Sequence, residues 1–332
     1  MTMRAFFIGA GSSQGTLSNR PLYPPVATDF GCQLTKRVSN WHTEYPALSE
    51  VAKHLQAPLS KLGLAEIWTC IDYYAKFQCV LRAAPWCKGE GSRNLKRALL
   101  RLYGQACDKE ADKLPQSDNY TLGQLLKNRV QPGDALISFN YDTLVERLAL
   151  KFGHRLRNFG GELRDDIVNL AKPHGSTSWC LDLKEKRVTW TEPDNVPRLN
   201  SLDESEVHAQ KEPLVLGAVP IKSELIKEVQ KQYRLAEVYT VVMSQWKAVV
   251  DAVKKAEVFV VVGYSFPKED QYGRFLFREA IRVRCSPPRI EYYELPARAA
   301  ATEASILEAF GAYDGLELVY HGQVLPPQDG LE

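Results

Sequence analysis

Short, nearly unbroken apolar runs, each followed by a helical stretch, constrain this chain more than any other feature. Ala5–Ile8 ends at Gly9-Ala10-Gly11, Ala135–Phe139 at Asn140-Tyr141-Asp142, and Val258–Val262 at Gly263-Tyr264-Ser265. Leu214–Leu216 follows Pro213, and Ile290–Leu295 stops before Pro296. Strands that are apolar on both faces and separated by helices predict a parallel sheet covered on both sides, the doubly wound α/β class. The helices announce themselves by caps and periodicity. Asp142 or Thr143 can start one running to about Phe152, Asp270 one running to about Arg284, and Val238 to Lys255 and Arg298 to Phe310 complete the set.

The stretch from Ala47 to Asn128 carries no convincing strand and reads as helices around 65–82, 94–109 and 120–129. This predicts a helical module at 47–129 inserted into a core formed by 1–46 and 130–325. A polar hairpin and loop fall within 176–212, where prolines stand at 193 and 197. The length of 332 residues accommodates such a core.

Charge and cysteine usage exclude several function classes. The net charge of +2 and the lack of a long Lys/Arg run argue against nucleic-acid binding. No apolar stretch reaches the ~18 residues of a membrane span. Met1 to Gly11 lacks the features of a secretory signal and reads as the first strand. The seven cysteines (32, 70, 79, 87, 107, 180 and 285) form no Cys-x-x-Cys pair, so reduced thiols in a cytoplasmic protein, with neither a disulfide framework nor a metal site, are expected.

Candidate chemistry sits at the strand ends, where open α/β sheets bind ligands. Gly9-Ala10-Gly11-Ser12 lets the backbone approach a phosphate and offers amides to it, or is an ordinary tight turn. Asn140 brings an amide donor and acceptor that can hold a ribose hydroxyl or a water. Asp142 beside it is a ligand contact or a helix cap. His174, in Lys172-Pro173-His174-Gly175-Ser176, is an accessible base near neutrality or a structural histidine. Gly263, Tyr264 and Ser265 suit a second phosphate or ribose contact. Arg274 stands four residues after Asp270, the spacing of a helical ion pair. Glu294 closes the last strand, where a carboxylate can accept from a ribose.

Taken in order, these strings resemble the sirtuin superfamily, and more closely its bacterial sirtuin-like NAD-hydrolase branch, which acts in anti-phage defence. Gly9-Ala10-Gly11-Ser12 is similar to the family's opening Gly-Ala-Gly-x-Ser, and Pro25 to Asp29-Phe30 to the segment containing Pro-Asp-Phe-Arg. Phe139-Asn140-Tyr141-Asp142 resembles Gln-Asn-Ile-Asp, His174-Gly175 the catalytic His-Gly, and Gly263-Tyr264-Ser265 the Gly-Thr-Ser that meets NAD phosphates. The likeness spans about Phe6 to Leu295. It implies a Rossmann-like core, NAD as substrate, and catalysis by Asn140, His174 and Asp142. The remaining NAD contacts would come from Gly9 to Ser12, Asp29, Phe30, Gly263 to Ser265 and Glu294. It further implies a triggered NAD-depleting effector acting as a homo-oligomer or with a defence partner. Two departures stand out. Only Cys180 follows His-Gly nearby, so the sirtuin zinc ribbon is absent and protein deacylation or ADP-ribosyl transfer becomes the alternative activity. Gly31 also replaces the family arginine after Asp-Phe. A protein that senses NAD or an ADP-ribose derivative without cleaving it is the remaining alternative.

Overall fold

A computed structural model describes residues 2–17, 24–77, 90–111, 121–158, 162–182, 184–185, 187–189, 201–208, 210–216, 236–311 and 315–322. Cys79, Cys87, the 78–82 end of one expected helix and both loop prolines lie outside them. The core is a seven-stranded sheet with every neighbouring pair parallel. In chain order its strands are β1 (Arg4–Ile8), β2 (Ala135–Ser138), β3 (Leu156–Asn158), β4 (Val168–Ala171), β8 (Val258–Val262), β9 (Arg289–Glu294) and β10 (Glu317–Gly322). They lie side by side as β10-β9-β8-β1-β2-β4-β3. The chain is thus an α/β protein with a Rossmann-like, doubly wound sheet.

Alternation along the strands explains why both faces are covered. Ala5 and Phe7 of β1, Ala135 and Ile137 of β2, and Phe259 and Val261 of β8 enter one core. Phe6, Ile8, Leu136, Val260 and Val262 enter another on the opposite face. The first core is closed by α10 (Ala236–Lys255), α11 (Gln271–Arg282) and α12 (Ala299–Phe310), the second by α8 (Thr121–Asn128) and α9 (Leu144–Lys151).

Between β1 and β2 the described chain is helical: α1 (Ala10–Leu17), α2 (Phe30–Arg37), α3 (Trp41–Glu44), α4 (Pro46–His54), α5 (Leu64–Phe77), α6 (Glu90–Leu99), α7 (Ala106–Ala111) and then α8. From Phe30 to Tyr103 these helices share a third core, which touches the sheet side through Tyr141 and Val215. At Gly31 an added Cβ would lie 2.0 Å from the Leu59 carbonyl oxygen. No side chain fits there, which accounts for glycine where the resemblance expects arginine.

One expected core strand belongs elsewhere. The run around Leu214 forms β7 (Lys211–Val215), which pairs antiparallel with β5 (Gly175–Asp182), and β5 pairs on its other side with β6 (Arg187–Thr189). Pro213 has no N–H to donate, and an edge strand tolerates that. The sequence reading also lacked β3 and β10, which are short or polar strands at the two sheet edges.

Candidate active site at the strand ends

Strands after β1 are added on one side of it and those after β8 on the other, so the topological switch falls between β1 and β8. At that point two loops cross at backbone contact. A Cβ on Gly9 would lie 2.5 Å from the Gly263 carbonyl oxygen, and one on Gly263 would lie 2.2 Å from the Ser12 nitrogen. Gly263 also has φ +59°, where a Cβ is strained. The amides of Gly9, Gly11 and Ser12 donate to the carbonyls of Val262, Gly263 and Gly9. The expected phosphate cradle is therefore not formed by these three amides: the crossing takes those of Gly9 and Gly11, and the turn itself takes that of Ser12. The Ser12 hydroxyl also turns back, donating to the Gly9 carbonyl at 2.7 Å.

The loop instead orients Asn140. Its Nδ2 donates to the Gly9 carbonyl at 3.0 Å and to the Ser13 hydroxyl at 2.8 Å. Asn140 is 3% exposed, and among the described residues its Oδ1 has no hydrogen-bond partner. A buried acceptor left unpaired is costly, and such atoms mark places where a ligand or water is received.

Asp142 starts α9 by accepting from the Leu144 amide at 3.0 Å. Burial pushes its carboxyl up from 3.8 to about 6, against the pull of the Lys172 ammonium. Lys172 is fully buried; it donates to the Asp142 carbonyl and, at 2.8 Å, to Glu146. The end of β4 is thereby fastened to the turn after β2.

His174 follows on the next loop and is 4% exposed. Its Nε2 lies 2.8 Å from the Asp270 carboxylate. Asp270 also accepts from the Tyr264 hydroxyl at 3.3 Å and caps α11 through the Gly273 amide. The imidazole sits edge-on to Phe139, with ring centroids 5.3 Å apart, and 6.4 Å from the Tyr141 ring. Along an extended segment, neighbouring side chains face opposite ways. Phe139 and Tyr141 meet the histidine, whereas Asn140 turns to the β1 loop. The structure thus places the expected Asn140 and Asp142, with Ser13 beside Asn140, on one side of a strand end, and the expected His174 and Tyr264, joined by Asp270, on the other.

The remaining candidates divide. Tyr264 stacks on Phe139 at 4.0 Å, and Ser265 is exposed. Phe266 is buried at φ 47°, a conformation that costs a bulky residue strain and is held by the rings of Phe7, Phe277 and Phe310. Asp29 is half-buried at the start of α2, and Phe30 is buried in the helical core. Glu294 accepts from the Leu295 amide and the Thr302 hydroxyl, so it ties β9 to α12. Arg274 reaches Glu308 at 2.9 Å, leaving Asp270 to the histidine.

Sequence reasoning missed Ser13 and Glu146. Ser13 stands one position past the family-like string, and only the pitch of α1 decides which serine faces Asn140. Glu146 lies in the first turn of α9, four residues after Asp142, and pairs with the buried Lys172. Among the described residues, no group of His, Cys, Asp and Glu is placed to hold a metal ion. No described helix is long and apolar enough to cross a membrane. Compared with known proteins, no family model matches this chain and no curated protein matches it.

Proposed function

We propose that this chain binds NAD at the carboxyl ends of β1, β2 and β8 and hydrolyses its nicotinamide–ribose bond to nicotinamide and ADP-ribose. The observation that carries the reading is the buried Oδ1 of Asn140, unpaired among the described residues and placed by Ser13 and Gly9 at the switch point, with a histidine held by a buried aspartate on the other side of the same strand end. Asn140 Oδ1 accepts from a ribose hydroxyl or the attacking water. Asp142 offers a second acceptor to the sugar. His174 takes the proton from the water as its oxygen bonds to the anomeric carbon, and the electron pair of the broken bond leaves with neutral nicotinamide. Asp270 and the surrounding Phe139, Tyr141 and Trp246 rings hold the imidazole and keep bulk water out, which strengthens every charge interaction inside.

Both key side chains are nearly closed to solvent. This favours an effector in bacterial defence that is silent until self-assembly or a partner protein opens it. The same enclosure, with three loop amides already used, also supports a second reading, saturable binding of NAD or ADP-ribose without turnover. Incubation with NAD, alone and after assembly, separates the two by nicotinamide release. His174→Ala and Asn140→Ala should each lower that release by ~10²–10⁴-fold without unfolding the protein. Undiminished release in both variants would sink the proposal.

A further inference from the structure

The two edges of the seven-stranded sheet differ. β3 is three residues long, and its Leu156 and Asn158 are buried. β10 runs for six residues, pairs with β9 in unbroken parallel register, and among the described residues has no strand on its other side. An edge of this kind presents a row of unpaired backbone donors and acceptors, which proteins commonly blunt with lysines, prolines or bulges. Glu317–Gly322 holds no lysine, no proline and no bulge, and Tyr320 is 40% exposed.

The side chains of β10 make this edge complementary to itself. Leu318 packs on the first core, and the Tyr320 ring lies 5.4 Å from Tyr292 of that core, so both face one side of the sheet. On the other side His321 stacks on Tyr293 at 4.7 Å, and Glu317 and Val319 share its face. Two copies related by a two-fold axis perpendicular to the sheet pair antiparallel and keep each face continuous, so residues of one face meet residues of the same face. Centred on Val319, that pairing sets Glu317 opposite the partner's His321 and Leu318 opposite the partner's Tyr320. A carboxylate then meets an imidazole that can donate to it, and an apolar side chain meets an aromatic ring. Moving the centre to Leu318 or Tyr320 takes Glu317 and His321 away from each other.

We propose that β10 is a homodimer interface, at which two chains join edge to edge, antiparallel and centred on Val319, and carry one sheet through both molecules. The pairing does not depend on the chemistry at the strand ends. It is tested on the full chain by analytical ultracentrifugation and by cysteine cross-linking, with the parent chain oxidised alongside as the background for its own thiols, of which Cys285 is exposed. Val319→Cys should link to its own copy on mild oxidation, because residues directly opposite lie about 4.5–5.5 Å apart between Cα atoms, within disulfide reach. Glu317→Cys and His321→Cys should each stay unlinked alone, since ~13 Å of strand separates either residue from its own copy, and should link when the two variants are mixed. Val319→Lys sets two ammonium groups face to face and should weaken the dimer about 3- to 10-fold, with an unchanged far-ultraviolet circular dichroism spectrum. A wild-type chain that sediments as a monomer at every concentration overturns the proposal, as does a dimer in which Val319→Cys stays unlinked.

Discussion

Asp142 is a buried carboxylate drawn toward the Lys172 ammonium, which is shared with Glu146. Its folded value of about 6 lies above the unfolded 3.8, so protonation favours the fold. That stabilisation is fully present below pH 3.8 and is lost as the pH rises through about 6. Asp142→Asn removes the titration. The stability of wild type relative to this variant should therefore fall by about 3 kcal/mol between pH ~3.5 and ~7, read by denaturant unfolding at both ends. A difference that stays flat with pH would refute the assignment. At this scale the sequence shows which polar residues stand at strand ends, since an Asn, an Asp and a His each close an apolar run or its following loop. It does not show their partners. Asp270 reads as a helix cap, and it is one, yet its other oxygen is placed on His174 only when the β8 loop folds across the sheet.

The crossing of the β1 and β8 loops is the element on which the site's geometry turns. Gly263→Ala combines a left-handed φ with a Cβ 2.2 Å from the Ser12 nitrogen, and Gly11 and Ser12 are backbone that cannot swing aside. It should cost more than about 2 kcal/mol and displace Asn140 through Gly9. Gly15→Ala in α1 meets nothing within 4 Å among the described residues and should gain up to about 1 kcal/mol from helix propensity. Paired thermal melts check the contrast; equal midpoints would show that the crossing tolerates a side chain. Glycines at strand ends were legible as sites of close approach. That they approach each other's backbone, and not an anion, depends on β1 and β8 being neighbours, a pairing between residues far apart in sequence. The run at Leu214 misled for a related reason. Apolar content marks a buried strand, but not the sheet that receives it.

In the whole molecule, the helical segment has its own core, which meets the sheet side through Tyr141 and Val215, and it is also joined to the rest by polar contacts. The Lys96–Glu212 pair, at 2.6 Å, joins α6 to β7, and both side chains are buried. Tyr45, Arg97 and Arg101 gather on Glu204 nearby. Removing one member of a buried pair strands the other charge, so Lys96→Ala should cost about 3–5 kcal/mol. Replacing both partners, Lys96→Met with Glu212→Leu, should recover most of that loss in denaturant unfolding. A double variant as weak as the single one would mean that the pair itself, and not the stranded charge, sets the cost. The helical character of this segment was legible from its missing strand signals. Its docking was not, since no pattern within Glu90–Leu99 points to a partner at Glu212.

The central position of β1 also bears on how the chain emerges from a ribosome. Arg4–Ile8 is made first but acquires one neighbour only at Ala135 and the other only at Val258. At ~5–20 residues per second, this greasy ribbon waits on the order of ten seconds or more for each flank. The helices made in the meantime can condense on their own nucleus, while the ribbon waits unpaired until the distant halves of the sheet arrive.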